Sequence, residues 1–240
     1  MGGPLIFITG ASSGIGLAMA RAVPYAGARV IDVSRRGAPG VEHLAADLAD
    51  PASWRRVADL FDEEMTGFEG ERVVLVHCAG TLEPIGFAGE VDDGGYTRQV
   101  LLNAAAPQVL GAAFLRAAQG TGAPCTLLFI GSGASSSIYE GWSAYCAGKA
   151  AVDHWVRTVG AEQKRRGDRC RVLCVAPGVV ETAMQEQIRG VTEDAFPEVE
   201  RFRLLHRQGA LRDPDDAARD LWALVLRDTF KNGAVLDLRG

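Results

Sequence analysis

Short apolar, β-branched runs alternate with longer helical patterns along the whole chain, and no other feature restricts the fold as much. The runs lie at residues 4–9 (PLIFIT), 28–34 (ARVIDVS), 41–46 (VEHLAA), 72–77 (RVVLVH), 125–131 (CTLLFIG), 170–176 (CRVLCVA) and 233–238 (GAVLDL). Between them, residues 14–27, 51–67, about 93–119, about 142–166 and 213–228 carry apolar side chains three and four apart, the spacing of one helical face. Strands apolar on both sides need cover on both sides, and helices between parallel strands supply it through right-handed crossovers. The expected fold is therefore α/β: a doubly wound, parallel, seven-stranded Rossmann-type sheet with helices on both faces. At 240 residues, a single domain over 1–240 accommodates it. Residues 181–212 break the rhythm and read as an irregular insertion, placed to cover a ligand.

The formal charge of −5 opposes a nucleic-acid or anionic-membrane surface, because phosphate binding needs clustered Lys and Arg, and so favours a small-molecule partner. The first apolar run, residues 5–8, is too short for a signal sequence or a membrane span, which points to the cytoplasm. Five cysteines, odd in number and set mostly in apolar runs, suit reduced buried thiols. Cys170 and Cys174 lie in a strand pattern with no further Cys or His close by, so no metal is expected.

Directly after the first run comes TGASSGIG, residues 9–16. Glycines at a strand-to-helix turn let backbone approach a pyrophosphate, and the following helix offers free N–H groups and a partial positive charge. Gly10, Ser12, Ser13, Gly14, Ile15 and Gly16 are accordingly read as the phosphate turn of a dinucleotide site. At the end of the second strand an acidic side chain favours NAD and a basic one NADP. Here Ser34 is followed by Arg35 and Arg36, which favours NADP, while Asp32 lies two residues earlier. A register shifted by two would bring Asp32 to the ribose and favour NAD. Asp47, with Leu48 beside it, suits the adenine edge, and Asp50 suits the cap of the helix starting at Pro51.

The chain has 22 arginines and only three lysines, and one of those lysines, Lys149, stands four residues after Tyr145. Residues four apart share a helical face. A phenol ordinarily titrates near pH 10, but a cation beside it stabilises the phenolate and makes it a workable acid–base group near neutrality. An ammonium is a compact point charge suited to this and to ribose hydroxyls, where a planar guanidinium fits less well. Thirteen residues before Tyr145, at the end of the fifth run, Ser132 offers a hydroxyl to orient a carbonyl oxygen.

Taken together, TGASSGIG, the serine thirteen residues before YCAGK, and VAPGVVET resemble the short-chain dehydrogenase/reductase family over essentially the whole chain. The resemblance implies catalytic roles for Tyr145 as general acid–base, Lys149 as its electrostatic helper and ribose ligand, Ser132 as substrate orienter and Asn103 as a polar member of the proton relay. It implies cofactor contacts from Ala79, Gly80, Pro177, Gly178 and Val180, with Thr182 holding the nicotinamide carboxamide. The family's Asn-Asn-Ala-Gly segment appears here as His77-Cys78-Ala79-Gly80, without the two side-chain amides.

Within the family, GWSAYCAGKAA, VAPGVVETAMQ and FKNGAVLDL are similar to the sepiapterin reductase and benzil reductase subgroup. That implies an NADPH-dependent carbonyl reductase acting on a ketone or vicinal dicarbonyl, with Asp237 at the position that would anchor a pterin. An NAD-linked alcohol dehydrogenase and a non-catalytic dinucleotide-binding sensor are the alternatives. Related enzymes pair the helices of Asn103 and Tyr145 across a twofold axis, so a homodimer or homotetramer is expected.

Overall fold

The structure, a computed structural model, describes residues 2–227 and 229–239. β1 (Leu5–Thr9), β2 (Arg29–Ser34), β3 (Glu42–Ala45), β4 (Val73–His77), β5 (Cys125–Ile130), β6 (Cys170–Ala176) and β7 (Ala234–Asp237) form one sheet in the order β3-β2-β1-β4-β5-β6-β7. Each neighbouring pair is parallel. The doubly wound seven-stranded expectation is what the chain adopts. Strand order reverses between β1 and β4, and at such a switch point the loops leaving the strand ends diverge and open a crevice.

Alternate strand residues face opposite layers. Phe7, Leu75, Leu127 and Val172 face one layer, where α2 (Pro51–Met65), α4 (Ala106–Ala117) and α5 (Ser143–Arg165) bury Phe61, Phe114 and Val156 against them. Ile8, Val76, Leu128 and Leu173 face the other, covered by α1 (Gly14–Arg21) and α8 (Pro214–Arg227) through Met19, Leu221 and Trp222. Asp50 caps α2, its carboxylate accepting from Ala52 N at 3.0 Å. α1 stops at Arg21, short of the expected 27, because Pro24 has no N–H to continue the ladder.

Two segments differ from expectation. The region 93–119 is not one regular helix: α3 (Asp93–Val100) passes through a π-turn at Leu101–Ala105 before α4 begins. By length and composition Asp93–Gly120 is apolar enough to cross a membrane, but 44% of that window is buried, and α4 packs on α2 as a core helix does. Residues 181–212 are largely helical, with α6 (Ala183–Gly190) and α7 (Val199–Arg207). Phe196, Val199, Phe202 and Ile188 of this segment form a third core with Leu82, Ala134, Trp142 and Tyr145.

At its far end α5 meets the approach to β7 backbone to backbone. A Cβ on Gly160 would lie 2.2 Å from Gly233 Cα, so no side chain fits there.

Candidate active site

The crevice at the carboxyl ends of β1, β2, β4, β5 and β6 is a cleft of about 910 Å³. Its floor begins with the β1–α1 turn. Gly10, at φ +71°, has its N–H on Val33 O, and a Cβ there would stand 2.9 Å from Ala79 Cα. Gly14 is at φ +54°, and a Cβ on Gly16 would stand 2.4 Å from Gly10 O. The turn thus lies flat against its neighbours because it lacks side chains. Ser13 leaves the start of α1 without a side-chain cap, and the first turn of α1 has no acidic residue. Those N–H groups face the cleft unneutralised, the condition a pyrophosphate requires. Ser12 and Ile15 line the cleft with them.

At the end of β2, Asp32 is fully buried. Its carboxylate accepts from Ala11 N at 3.1 Å and from Ser34 Oγ at 2.8 Å, which ties the phosphate turn to the sheet. It does not line the cleft, whereas Ser34, Arg35 and Arg36 do. The register that would bring Asp32 to a ribose is therefore not the one adopted. Asp47 and Leu48 also line the cleft; Asp47 accepts from Ala49 N at 3.0 Å and from Arg98 Nη2 at 2.8 Å. The Arg98 guanidinium holds the Asp47 carboxyl below the usual carboxylate range, against the opposing effect of burial. Arg98, on α3, is a cleft residue that nothing local in the sequence marks.

Ala79 and Gly80 follow β4, with Ala79 N donating to Thr9 Oγ1 at 3.2 Å. Asn103, in the π-turn, accepts from Thr81 N at 3.0 Å and donates Nδ2 to Thr81 O at 2.7 Å. Both ends of its amide are taken by one backbone unit, so Asn103 holds the Gly80–Thr81 turn in place from behind the cleft wall. Gly148 of α5 lets it approach; a Cβ there would be 3.0 Å from Asn103 Cβ. His77 is buried against the Phe129 ring, at 5.7 Å, with neither ring nitrogen hydrogen-bonded among the described residues. Burial, and then the charge of Lys149, pushes its pKa down to about 3, so the ring stays neutral. Cys78, which lines the cleft, is pushed up to about 12 by burial and remains a thiol.

β5 ends at Ile130, and Ser132 follows with its hydroxyl oxygen accepting from Ala134 N at 3.2 Å, which leaves the hydroxyl proton free to donate. α5 carries Tyr145 and Lys149 on one face toward the same place. Lys149 Nζ donates to Ile130 O at 2.8 Å and stands 5.7 Å from the centre of the Tyr145 ring. A cation, a phenol and a hydroxyl thus converge where β5 stops. Pro177, Gly178, Val180 and Thr182 line the cleft after β6, and Thr182 Cγ2 would meet a Cβ on Gly14 at 3.3 Å, so the two phosphate-side loops touch.

Tyr139, Trp142 and Phe202 give the remaining wall an aromatic stretch beside Met184, Gln185 and Arg201, with Phe196 fully buried behind it. Trp142 stacks on Phe196 at 4.3 Å and meets Tyr145 edge-on at 5.6 Å; Tyr139 and Phe202 complete the cluster. Asp237 does not join this wall. Its carboxylate is gripped by Arg239, Nη2 to Oδ2 at 2.6 Å, and it is Arg239 that lines the cleft. Residues two apart at a strand end share a face, which is why the arginine intercepts the aspartate.

This geometry has relatives. The short chain dehydrogenase family model matches residues 4–192. A benzil reductase ((S)-benzoin forming) of Bacillus subtilis is 34% identical over 240 residues, covering 98% of both chains. The sepiapterin reductase of Mus musculus is 33% identical over 198 residues, 80% of this chain and 73% of its own. Among solved structures, that of the KRED1-Pglu enzyme superposes with a TM-score of 0.81 at 29% identity, covering 97% of this chain and 99% of its own.

Proposed function

The chain belongs to the short-chain dehydrogenase family of oxidoreductases, and from that premise we propose that it is an NADPH-dependent reductase of ketones, with vicinal dicarbonyls as its preferred class. The observation that carries the reading is the convergence of Ser132, Tyr145 and Lys149 at the end of β5, beside a glycine turn that fits a dinucleotide. A nicotinamide, when bound in this cleft, would supply the hydride for the carbonyl carbon. The chain's residues handle the oxygen. Ser132 donates its free hydroxyl proton as a hydrogen bond to the carbonyl and orients it. Tyr145 gives its phenolic proton to the oxygen as negative charge develops there, and the Lys149 ammonium stabilises the phenolate left behind. Lys149 is anchored for this by its bond to Ile130 O, and Asn103 acts as a positioning residue through its grip on Thr81.

For the cofactor, Arg35 and Arg36 favour the 2′-phosphate of NADPH, and the burial of Asp32 removes the competing carboxylate. For the substrate, the Trp142–Phe196 stack favours an aromatic or broadly apolar ketone, in line with the benzil reductase likeness. A pterin held by Asp237 is not part of this reading, because Arg239 already occupies that carboxylate.

The test is to mix the protein with NADPH or NADH and a panel of diketones and simple ketones, following absorbance of the reduced nicotinamide. Oxidation of NADPH that depends on a ketone and on Tyr145 is the expected result. Binding of dinucleotide without turnover of any carbonyl would favour a sensor instead.

A further inference from the structure

Arg239 is a charged cleft residue to which the reaction just proposed gives no task. Its side chain threads between two loops that lack side chains at the crossing. A Cβ on Gly133 would stand 3.0 Å from its Nη2, and one on Gly178, at φ +86°, would stand 3.4 Å from its Cγ. Gly133 directly follows Ser132, so the guanidinium lies in the same stretch of wall as the orienting hydroxyl.

The guanidinium is also fixed in orientation. Asp237 accepts from Nε at 3.0 Å, from Nη2 at 2.6 Å and from the backbone N of Arg239 at 2.9 Å. That grip uses one edge of the planar fork, and Nη1 has no protein acceptor among the described residues. A guanidinium carries five N–H donors in a rigid plane, so clamping one edge aims the others. The side chain is half exposed, yet it is held by a carboxylate and two glycine gaps rather than left to swing.

We propose that Arg239 is a specificity-determining residue that donates a hydrogen bond to a second oxygen on the carbon next to the reacting carbonyl. Ser132 and Tyr145 hold the oxygen that is reduced, and Arg239 holds its neighbour, so the cleft selects 1,2-dicarbonyls over ketones of the same shape. The inference rests on the reductase reading above. The chemistry balances without a further reagent: one C–H bond forms from the hydride, one O–H bond from the Tyr145 proton, and the second carbonyl emerges unchanged in an α-hydroxyketone. A charged donor on that second oxygen draws electron density from the adjacent carbon and makes it a better hydride acceptor. Asp237 becomes a positioning residue acting through Arg239.

Benzil and deoxybenzoin test this directly, since they differ only in the second carbonyl. In Arg239→Ala the ratio of kcat/KM for benzil to that for deoxybenzoin should fall about tenfold or more, the scale of one hydrogen bond from a charged donor. Arg239→Gln, which keeps an N–H donor, should recover part of that ratio, and a purely structural role predicts no such recovery. A ratio within about twofold of wild type in Arg239→Ala overturns the proposal. Should the wild type reduce neither ketone with either nicotinamide, the reductase reading fails, and binding of both ketones is then measured by calorimetry on protein with NADP+. A loss confined to benzil in Arg239→Ala still supports the role of Arg239. Equal losses on both ketones, or no binding of either to wild type, overturn it.

Discussion

The two halves of the cleft are built by different means. The dinucleotide side is made of backbone: Gly10 and Gly16 pack where no Cβ fits, Gly14 holds a positive φ, and Asp32 and Thr9 tie the loops to the sheet from below. The substrate side is made of side chains: Trp142, Phe196, Tyr139 and Phe202 pack on one another from a loop and from the segment around α6 and α7. Backbone recognition is tolerant of sequence elsewhere but intolerant at a few glycines. Side-chain recognition can be rewritten one residue at a time. On the reading proposed above, the difference teaches that the cofactor is an inheritance of the fold, whereas the substrate is selected by this chain's own aromatics and by Arg239.

Four substitutions would break or sharpen that contrast. The largest effect belongs to Tyr145, which stands where the halves meet: Tyr145→Phe should lower kcat by about a hundredfold or more while NADPH affinity stays within a few fold. Retention of a tenth of the wild-type rate, read by nicotinamide absorbance, would remove Tyr145 from the proton-donor role. Next, Phe196→Ala deletes a fully buried ring of the substrate side and should cost about 3 kcal/mol of stability in denaturant unfolding. It should also raise the ketone KM far more than the NADPH Kd; equal damage to both would show the two halves to be one unit.

His77 gives the third. Its folded pKa of about 3 lies below the ordinary value of 6.5, so the unfolded chain binds the proton first. Stability is therefore lost as pH falls from about 6.5 toward 3, by about 2 kcal/mol at pH 5 relative to pH 7.5. His77→Asn should remove that increment from the pH dependence of chemical unfolding, and an unchanged slope would mean that the ring finds a way to ionise in place. The smallest effect concerns Arg35: Arg35→Ala should reduce the preference for NADPH over NADH by about tenfold in titrations, as the loss of one charged phosphate contact would. No change would shift that role to Arg36.

The same contrast decides what the sequence made legible. Strands apolar on both faces are local patterns, and they predicted the sheet correctly; the glycine turn is local too, and it lies where the pattern placed it, directly after β1. Tyr145 and Lys149 are four residues apart on one helix, so their convergence was legible too. Arg98 reaches Asp47 across 51 positions, and Phe196 stacks on Trp142 from another segment altogether; neither partnership has a local signature. α6 and α7 read as irregular because both are short and α7 is strongly charged, with their few apolar residues serving a core that only the folded chain assembles. The π-turn was missed because Leu101–Ala105 has the composition of any apolar helix, and what opens it there is Asn103 turned to Thr81. Asp237 stands outside the cleft lining, its carboxylate held by an arginine two residues on, and nothing local in the sequence marks that pairing.

The contact of Gly160 with Gly233 gives α5 a second office. Tyr145 stands near one end of this helix, and fifteen residues on, about 22 Å along its axis, the helix is welded to the lead-in of the strand that ends at Asp237, two residues before Arg239. The helix is thus a strut between proton donor and selector, holding both to a common frame across the width of the domain. A methyl group at residue 160 would prise that strut from the sheet edge and re-aim Arg239 while the glycine turn beneath the dinucleotide stayed as it was. On the proposed role of Arg239, the choice of ketone would then be retuned from a position outside the cleft lining.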